Sequence, residues 1–146
     1  MIHVLELVAV MAATLFAGAA VYINVAEHPA RLELDNLNAA GQWAPSYQRA
    51  TLMQAPLAIA SFLAGVGVGL MGGGVAWFVA AVLIGAVVPF TFIVIMPTNK
   101  RLLSPDLDLA STETRALLVK WGKLHALRSA SSVAAAALYS YLIVWA

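Results

Sequence analysis

Residues 52–96 read LMQAPLAIASFLAGVGVGLMGGGVAWFVAAVLIGAVVPFTFIVIM, two apolar runs set back to back across Gly72-Gly73-Gly74. Leu52–Met71 and Val75–Met96 each supply the roughly 20 residues that a helix needs to cross a hydrocarbon core. Neither run alternates polar with apolar residues, and a membrane barrel needs at least about eight strands, so helices are the reading. The glycine triplet leaves room only for a tight turn, and the pair reads as a helical hairpin.

Working outward, the same pattern recurs on both sides. Val4–Val25 is a third span. Glu6 inside it, the lack of a preceding Lys or Arg and its length argue against a cleavable signal. Leu124–Trp145 is a fourth. Ser111 or Thr112 can cap a helix that starts near Glu113 and runs unbroken into this last span, about 33 residues and roughly 50 Å long. The expectation is an all-α integral membrane four-helix bundle, a single domain over 1–146, with helices at about 4–25, 52–71, 75–96 and 113–145. Two long polar connections, with Pro29 and Pro45 breaking the first into turns, lie on one side. The glycine turn and both termini lie on the other.

Composition agrees. Of 146 residues, 62% are hydrophobic and 10% charged, against about 25% charged in ordinary soluble domains; the mean hydropathy is +0.88. Eight Lys+Arg against seven Asp+Glu leave a net charge of +1, which is no footprint for nucleic acid. With no cysteine, thiolate catalysis, iron–sulfur clusters, cysteine-bound zinc and covalent c-type haem are excluded. All the Lys and Arg fall on the side of the long connections, so that side is expected to be cytoplasmic and both termini outside. Gly65 and Gly69 form a small-xxx-small pair that could pack helices within the bundle or join copies into a homo-oligomer.

Polar groups within apolar spans are the first places to look for chemistry. Asn24, Glu27 and His28 follow helical spacing near the end of the first span. Trp121, His125, Arg128 and Ser132 make one stripe on the fourth. Gln54 opens the second, and Asn99 closes the third. Each has a plainer alternative. Arg128 can snorkel to headgroups, Trp43, Tyr47 and Trp121 can form an interfacial belt, Asn99 can be a turn residue, and His28 can end a helix beside Pro29. Taken together, three uses are open. His28, Glu27 and His125 could ligate a metal ion. His28 and His125 could be axial ligands of a b-type haem. Or, with no cofactor, a neutral His125 could take a proton from a bound organic molecule while Arg128, Asn99 or Gln54 holds the resulting oxyanion.

The stretches Phe16-Ala-Gly-Ala, Pro97-Thr-Asn-Lys-Arg-Leu102 and Trp121-Gly-Lys-Leu-His-Ala-Leu-Arg128 resemble the anthrone oxygenase-like family of small four-helix membrane proteins over nearly the whole chain. That family is mostly bacterial, and it includes fungal enzymes that oxidise polyketide anthrones to anthraquinones with oxygen. The resemblance implies a membrane oxygenase, and the distribution of Lys and Arg sets it N-out and C-out in what is expected to be a bacterial cytoplasmic membrane. It would act on a lipophilic aromatic or cyclic molecule that arrives from the bilayer, with no cofactor required. His125 would be the base, Arg128 the charge stabiliser, Asn99 and Gln54 the groups that orient substrate with Asn24 beside them, and Trp121, Trp43 and Tyr47 a flat aromatic wall. The competing expectations are a metal- or haem-binding membrane protein and a non-catalytic binding or assembly subunit.

Overall fold

A computed structural model describes residues 1–145, which form four long helices, with no strand among the described residues. They are α1 (Ile2–Leu32), α2 (Asn36–Gly73), α3 (Val75–Leu102) and α4 (Thr112–Trp145), each long and apolar enough to cross a membrane. α1 packs on α2 and α4, and α3 packs on the same two, so α1 and α3 are diagonal across the bundle. Many large apolar side chains, among them Leu7, Leu15, Leu63 and Ile93, point outward, as faces that meet lipid do.

The architecture matches the expectation, but the helices run further than expected and the connections shrink. The first polar stretch is not a long connection: α1 continues to Leu32 and α2 begins at Asn36, leaving residues 33–35 as the turn. Asp35 caps α2 by accepting the Asn38 N–H at 3.0 Å, and the Asn38 hydrogen bonds hold its carboxyl below the ordinary value. The second connection is residues 103–111. Ser111 caps α4 as expected, its Oγ accepting the Thr114 N–H at 3.2 Å. Arg115 stitches the two turns together: its guanidinium donates to the carbonyls of Leu32 and Leu34 and to Oδ1 of Asn36, while the Asn36 amide donates to the Ser111 carbonyl at 2.9 Å.

The prolines explain the misplaced ends. A proline has no N–H for the carbonyl four residues back, and this can end a helix or widen it. Here it widens two of them. In α1 the His28 N–H reaches back to the Ile23 carbonyl, and a π-turn covers Ile23–Glu27 just before Pro29. In α3 the Met96 N–H reaches the Thr91 carbonyl, with a π-turn over Thr91–Ile95 just before Pro97. Pro45 and Pro56 sit inside α2. The sharp reversal comes where expected, at Gly72 (φ 96°) and Gly74 (φ 91°).

Two apolar clusters form the core. Towards the glycine turn it is built mainly of alanine with Phe16, Trp77, Ile84 and Tyr139. Towards the other end it contains Ile23, Trp43, Ile95, Leu118 and Trp121. The polar residues of the candidate site lie between them. Both glycines of the small-residue pair pack within the chain: a Cβ on Gly65 would come within 2.7 Å of the Tyr139 ring, and one on Gly69 within 2.6 Å of Phe78. Tyr139 is fully buried and has no way to retreat. Gly65→Ala should therefore destabilise the bundle by about 1–3 kcal/mol, the usual range for overpacking. Gly18→Ala, which meets nothing within 4 Å, should show no loss. Unfolding of both variants in detergent micelles checks the contrast.

Candidate functional site

The site begins with Asn24, which the π-turn of α1 aims at α4. Its Nδ2 donates to the Gly122 carbonyl at 3.2 Å, which fixes the amide orientation and leaves Oδ1 as an acceptor. Oδ1 takes hydrogen bonds from Ser129 Oγ and, at 2.8 Å, from Nδ1 of His125. Nδ1 of His125 must then carry the proton, and Nε2 keeps its lone pair. No described residue bonds that nitrogen. The ring is 2% exposed and stacks on Trp121 at 4.8 Å between centroids.

One helical turn along α4, the Arg128 guanidinium donates to Oε1 of Gln54 at 2.9 Å and lies 5.4 Å from the Phe16 ring. No carboxylate among the described residues pairs with it. Arg128 Nε and Gln54 Nε2 are buried donors without an acceptor. Arg31 is its opposite. It bonds Glu27, Gln42, Ser46 and, at 3.1 Å, Nδ1 of His28, so its charge is matched.

Two cavities meet at this layer. A polar pocket of about 10 Å³, room for one water, is bounded by His125, Arg128, Gln54, Trp121, Tyr47 and Arg31 among others. An apolar chamber of about 120 Å³ adjoins it, with Phe16, Ala58 and Val87 deep inside and Thr51, Ala55 and Phe92 towards the outside. Tyr47, Thr51 and Arg128 border both.

Several sequence expectations meet here and others do not. His125, Arg128, Gln54, Trp121 and Tyr47 share the polar pocket, and Asn24 backs it. Trp43 stands one layer behind, stacked on Tyr47 at 5.1 Å with planes 4° apart and edge-on to Trp121 at 5.9 Å. Asn99 does not join them. It is fully buried and borders neither cavity; it shares the helix face of Ile95 and Leu102, against the Trp43–Trp121 cluster, with both amide atoms lacking a partner. The face shared by Asn24, Glu27 and His28 is split, because the π-turn sends Glu27 towards Ser46 of α2.

His28 lies behind Trp121, with its Nε2 donating to the Leu118 carbonyl at 3.0 Å. Both its nitrogens are thus engaged, and Glu27 is held by Arg31 and Ser46. No three His, Cys, Asp or Glu side chains among the described residues form a metal-ligand group. A metal or b-type haem on His28, Glu27 and His125 does not fit this donor set. Sequence reasoning missed Arg31 and Ser46. Arg31 follows Glu27 and His28 at helical spacing, a signal hidden by reading Pro29 as the end of the helix.

A family model described as anthrone oxygenase matches residues 43–138. Among curated relatives, anthrone oxygenase ptaC of Pestalotiopsis fici is 35% identical over 109 residues, 65% of this chain and 77% of the relative. Anthrone oxygenase tpcL of Aspergillus fumigatus is 43% identical over 61 residues, 40% of this chain and 38% of that relative. The chain thus spans less than half of tpcL and about three quarters of ptaC. No solved structure matches significantly.

The Asn24 contacts make a spectroscopic prediction. ¹⁵N NMR of imidazole-labelled protein should show His125 protonated at Nδ1 and bare at Nε2. Asn24→Ala removes the acceptor, so it should lose that tautomer preference and about 1–3 kcal/mol of stability, the range for a buried donor left unpaired.

Proposed function

This chain belongs to the anthrone oxygenase family, and we propose that it is a membrane oxygenase that converts a ring methylene, or its enol carbon, into a carbonyl with molecular oxygen. The substrate class is a lipophilic aromatic or cyclic carbon acid of anthrone type. The observation that carries this reading is the surplus of buried donors: among the described residues Arg128 Nε and Gln54 Nε2 have no acceptor, and the guanidinium has no counterion. Unpaired buried donors are costly, and in this reading the oxyanion of the substrate accepts from them.

The chemistry follows from what each group can do. Nε2 of His125 accepts a proton from the substrate; removal from carbon or from the enol hydroxyl yields the same anion. The electron pair is delocalised onto the substrate oxygen, where Arg128 and Gln54 hold it. Asn24 keeps His125 in the tautomer that presents a lone pair and stabilises the imidazolium through the Nδ1 hydrogen bond. Dioxygen, which partitions readily into apolar space, adds to the electron-rich carbon and forms a C–O bond. The distal peroxide oxygen takes the proton back from His125. Loss of the second hydrogen from that carbon with cleavage of the O–O bond gives the carbonyl and water. The balance is one CH₂ and one O₂ consumed for one C=O and one H₂O, with no net proton or external electron.

In this reading the chain lies in a membrane with its cations on the cytoplasmic side. All eight Lys and Arg stand between the α1 end at Arg31 and the site at Arg128, and none stands near the glycine turn or residues 1 and 145. A reporter active only in the cytoplasm, fused to the C-terminus, should stay silent; a strong signal reverses the orientation.

Oxygen uptake with a soluble anthrone and the protein in nanodiscs tests the chemistry. His125→Gln should fold, because an amide can still hydrogen-bond to Asn24, yet lose about 10²–10⁴ in turnover, the span of a general base. Arg128→Lys keeps the charge but loses the planar fork and should fall by about 10²-fold, as when one oxyanion donor is removed. Full activity in both variants would show that the stripe on α4 is structural and that the chemistry lies elsewhere.

A further inference from the structure

Along α1 from Ala9 to Ala20, every buried side chain is alanine except Phe16. Phe16 is fully buried and opens the Phe16-Ala-Gly-Ala stretch. The alanines let α1 lie close to its neighbours, and the one phenyl ring reaches across to α4. There the Arg128 guanidinium lies over it, 5.4 Å from the ring centroid, within the roughly 6 Å at which an aromatic face attracts a cation. A buried cation normally has a carboxylate beside it. Arg128 has none among the described residues, and it has room to leave. Besides the polar pocket and the apolar chamber it borders a third space, a cleft of about 120 Å³ between α3 and α4 lined by Ala86, Val87, Phe90, Leu127 and Ser131. A long charged side chain with such an outlet tends to carry its head towards the membrane surface. Two contacts keep it inside: Oε1 of Gln54 at 2.9 Å and the face of Phe16. Gln54 takes up one N–H. The phenyl face takes up none, because it attracts the cation through its π electrons and leaves the in-plane donors free. Arg128 Nε is one of these free donors.

We propose that Phe16 is the positioning residue of the anion site. Its ring face stands in for a counterion and holds the Arg128 guanidinium at the border of the polar pocket and the chamber without occupying a donor. A carboxylate in its place would hold the guanidinium but repel an incoming oxyanion. An aliphatic side chain would leave the charge free to withdraw into the α3–α4 cleft. The proposal rests on the oxygenase reading only for what becomes of the oxyanion; the hold on Arg128 stands on the contacts alone.

Fluorine on a phenyl ring drains negative potential from its face with little change in volume. Replacing Phe16 by 4-fluoro-, 3,5-difluoro- and 3,4,5-trifluorophenylalanine therefore separates charge from packing. The probes are 9-anthracenecarboxylate and its neutral counterpart 9-anthracenemethanol, followed by fluorescence with the full chain in phosphatidylcholine nanodiscs. The unsubstituted protein should bind the carboxylate. Its affinity should fall stepwise along the series, by about tenfold at the trifluoro ring, while that for the alcohol stays the same. The same series at Phe62, which packs on Gly85 and borders neither the pocket nor the chamber, should leave both probes unchanged. Phe16→Leu stays apolar but has no π face, and it should also lose about tenfold for the carboxylate; should it not fold, the near-isosteric fluorinated series decides. No binding of the carboxylate to the unsubstituted protein, a flat fluorine series, or an equal fall for the alcohol overturns the proposal. Oxygen uptake separates it from the oxygenase reading. Oxidation of anthrone by a protein whose fluorine series is flat sinks this inference and leaves the oxygenase reading standing. The expected series in a protein that consumes no oxygen with anthrone sinks the oxygenase reading and leaves Phe16 as the positioning residue of an anion site.

Discussion

Four helices with faces this apolar gain little from choosing one another over lipid, so the groups that need polar partners decide how they fit. In this chain the deciding contact is the amide of Asn24. It bonds the backbone of α4 at Gly122 with one end and the side chains of His125 and Ser129 with the other. A slip of one residue between α1 and α4 would leave several buried polar groups unpaired, each at about 1–3 kcal/mol. The neighbouring packing follows from that register. The imidazole of His28 lies on Gly122, where a Cβ would come within 2.6 Å of the ring, and its Nε2 reaches Leu118 one turn earlier.

That register is available because α1 is not a regular helix. The π-turn before Pro29 rotates the chain so that Asn24 and His28 face α4 while Glu27 faces α2. α3 has the same device before Pro97, bordering the apolar chamber. Extra residues in a helical turn carry a conformational penalty and recur at functional sites; here both lie at the depth of the polar layer. The proline makes each one tolerable, because the N–H that would have closed the regular turn does not exist.

The two arginines of this layer show how differently the same charge can be partnered. Arg31 is surrounded by a carboxylate, an amide oxygen, a hydroxyl and an imidazole nitrogen, so its charge is matched within the protein. Arg128, at similar depth, has one amide oxygen and the face of a phenyl ring. A guanidinium that is incompletely partnered in low-dielectric surroundings binds an anionic oxygen strongly when one arrives. In the proposed reading, this arrangement gives up stability in the empty protein in favour of affinity for an oxyanion, a common compromise at catalytic sites.

Much of this was legible without coordinates. The spans of α2 and α3, the reversal at Gly72–Gly74, the cap at Ser111 and the stripe of Trp121, His125 and Arg128 depend on local composition and on a fixed helical period, and both are written in the order of residues. The tertiary structure decided what depends on relations between helices. Asn99 and Gln54 are equally polar and equally near the ends of spans, yet one turns to the Trp43–Trp121 cluster and the other to Arg128. Glu27 and His28 are adjacent and face different helices. Arg31 is paired and Arg128 is not. These outcomes turn on helix rotation, which two π-turns shift by part of a turn. A proline in a sequence reports only a missing N–H; whether the helix stops or widens there is settled by the partners that the neighbouring helices offer.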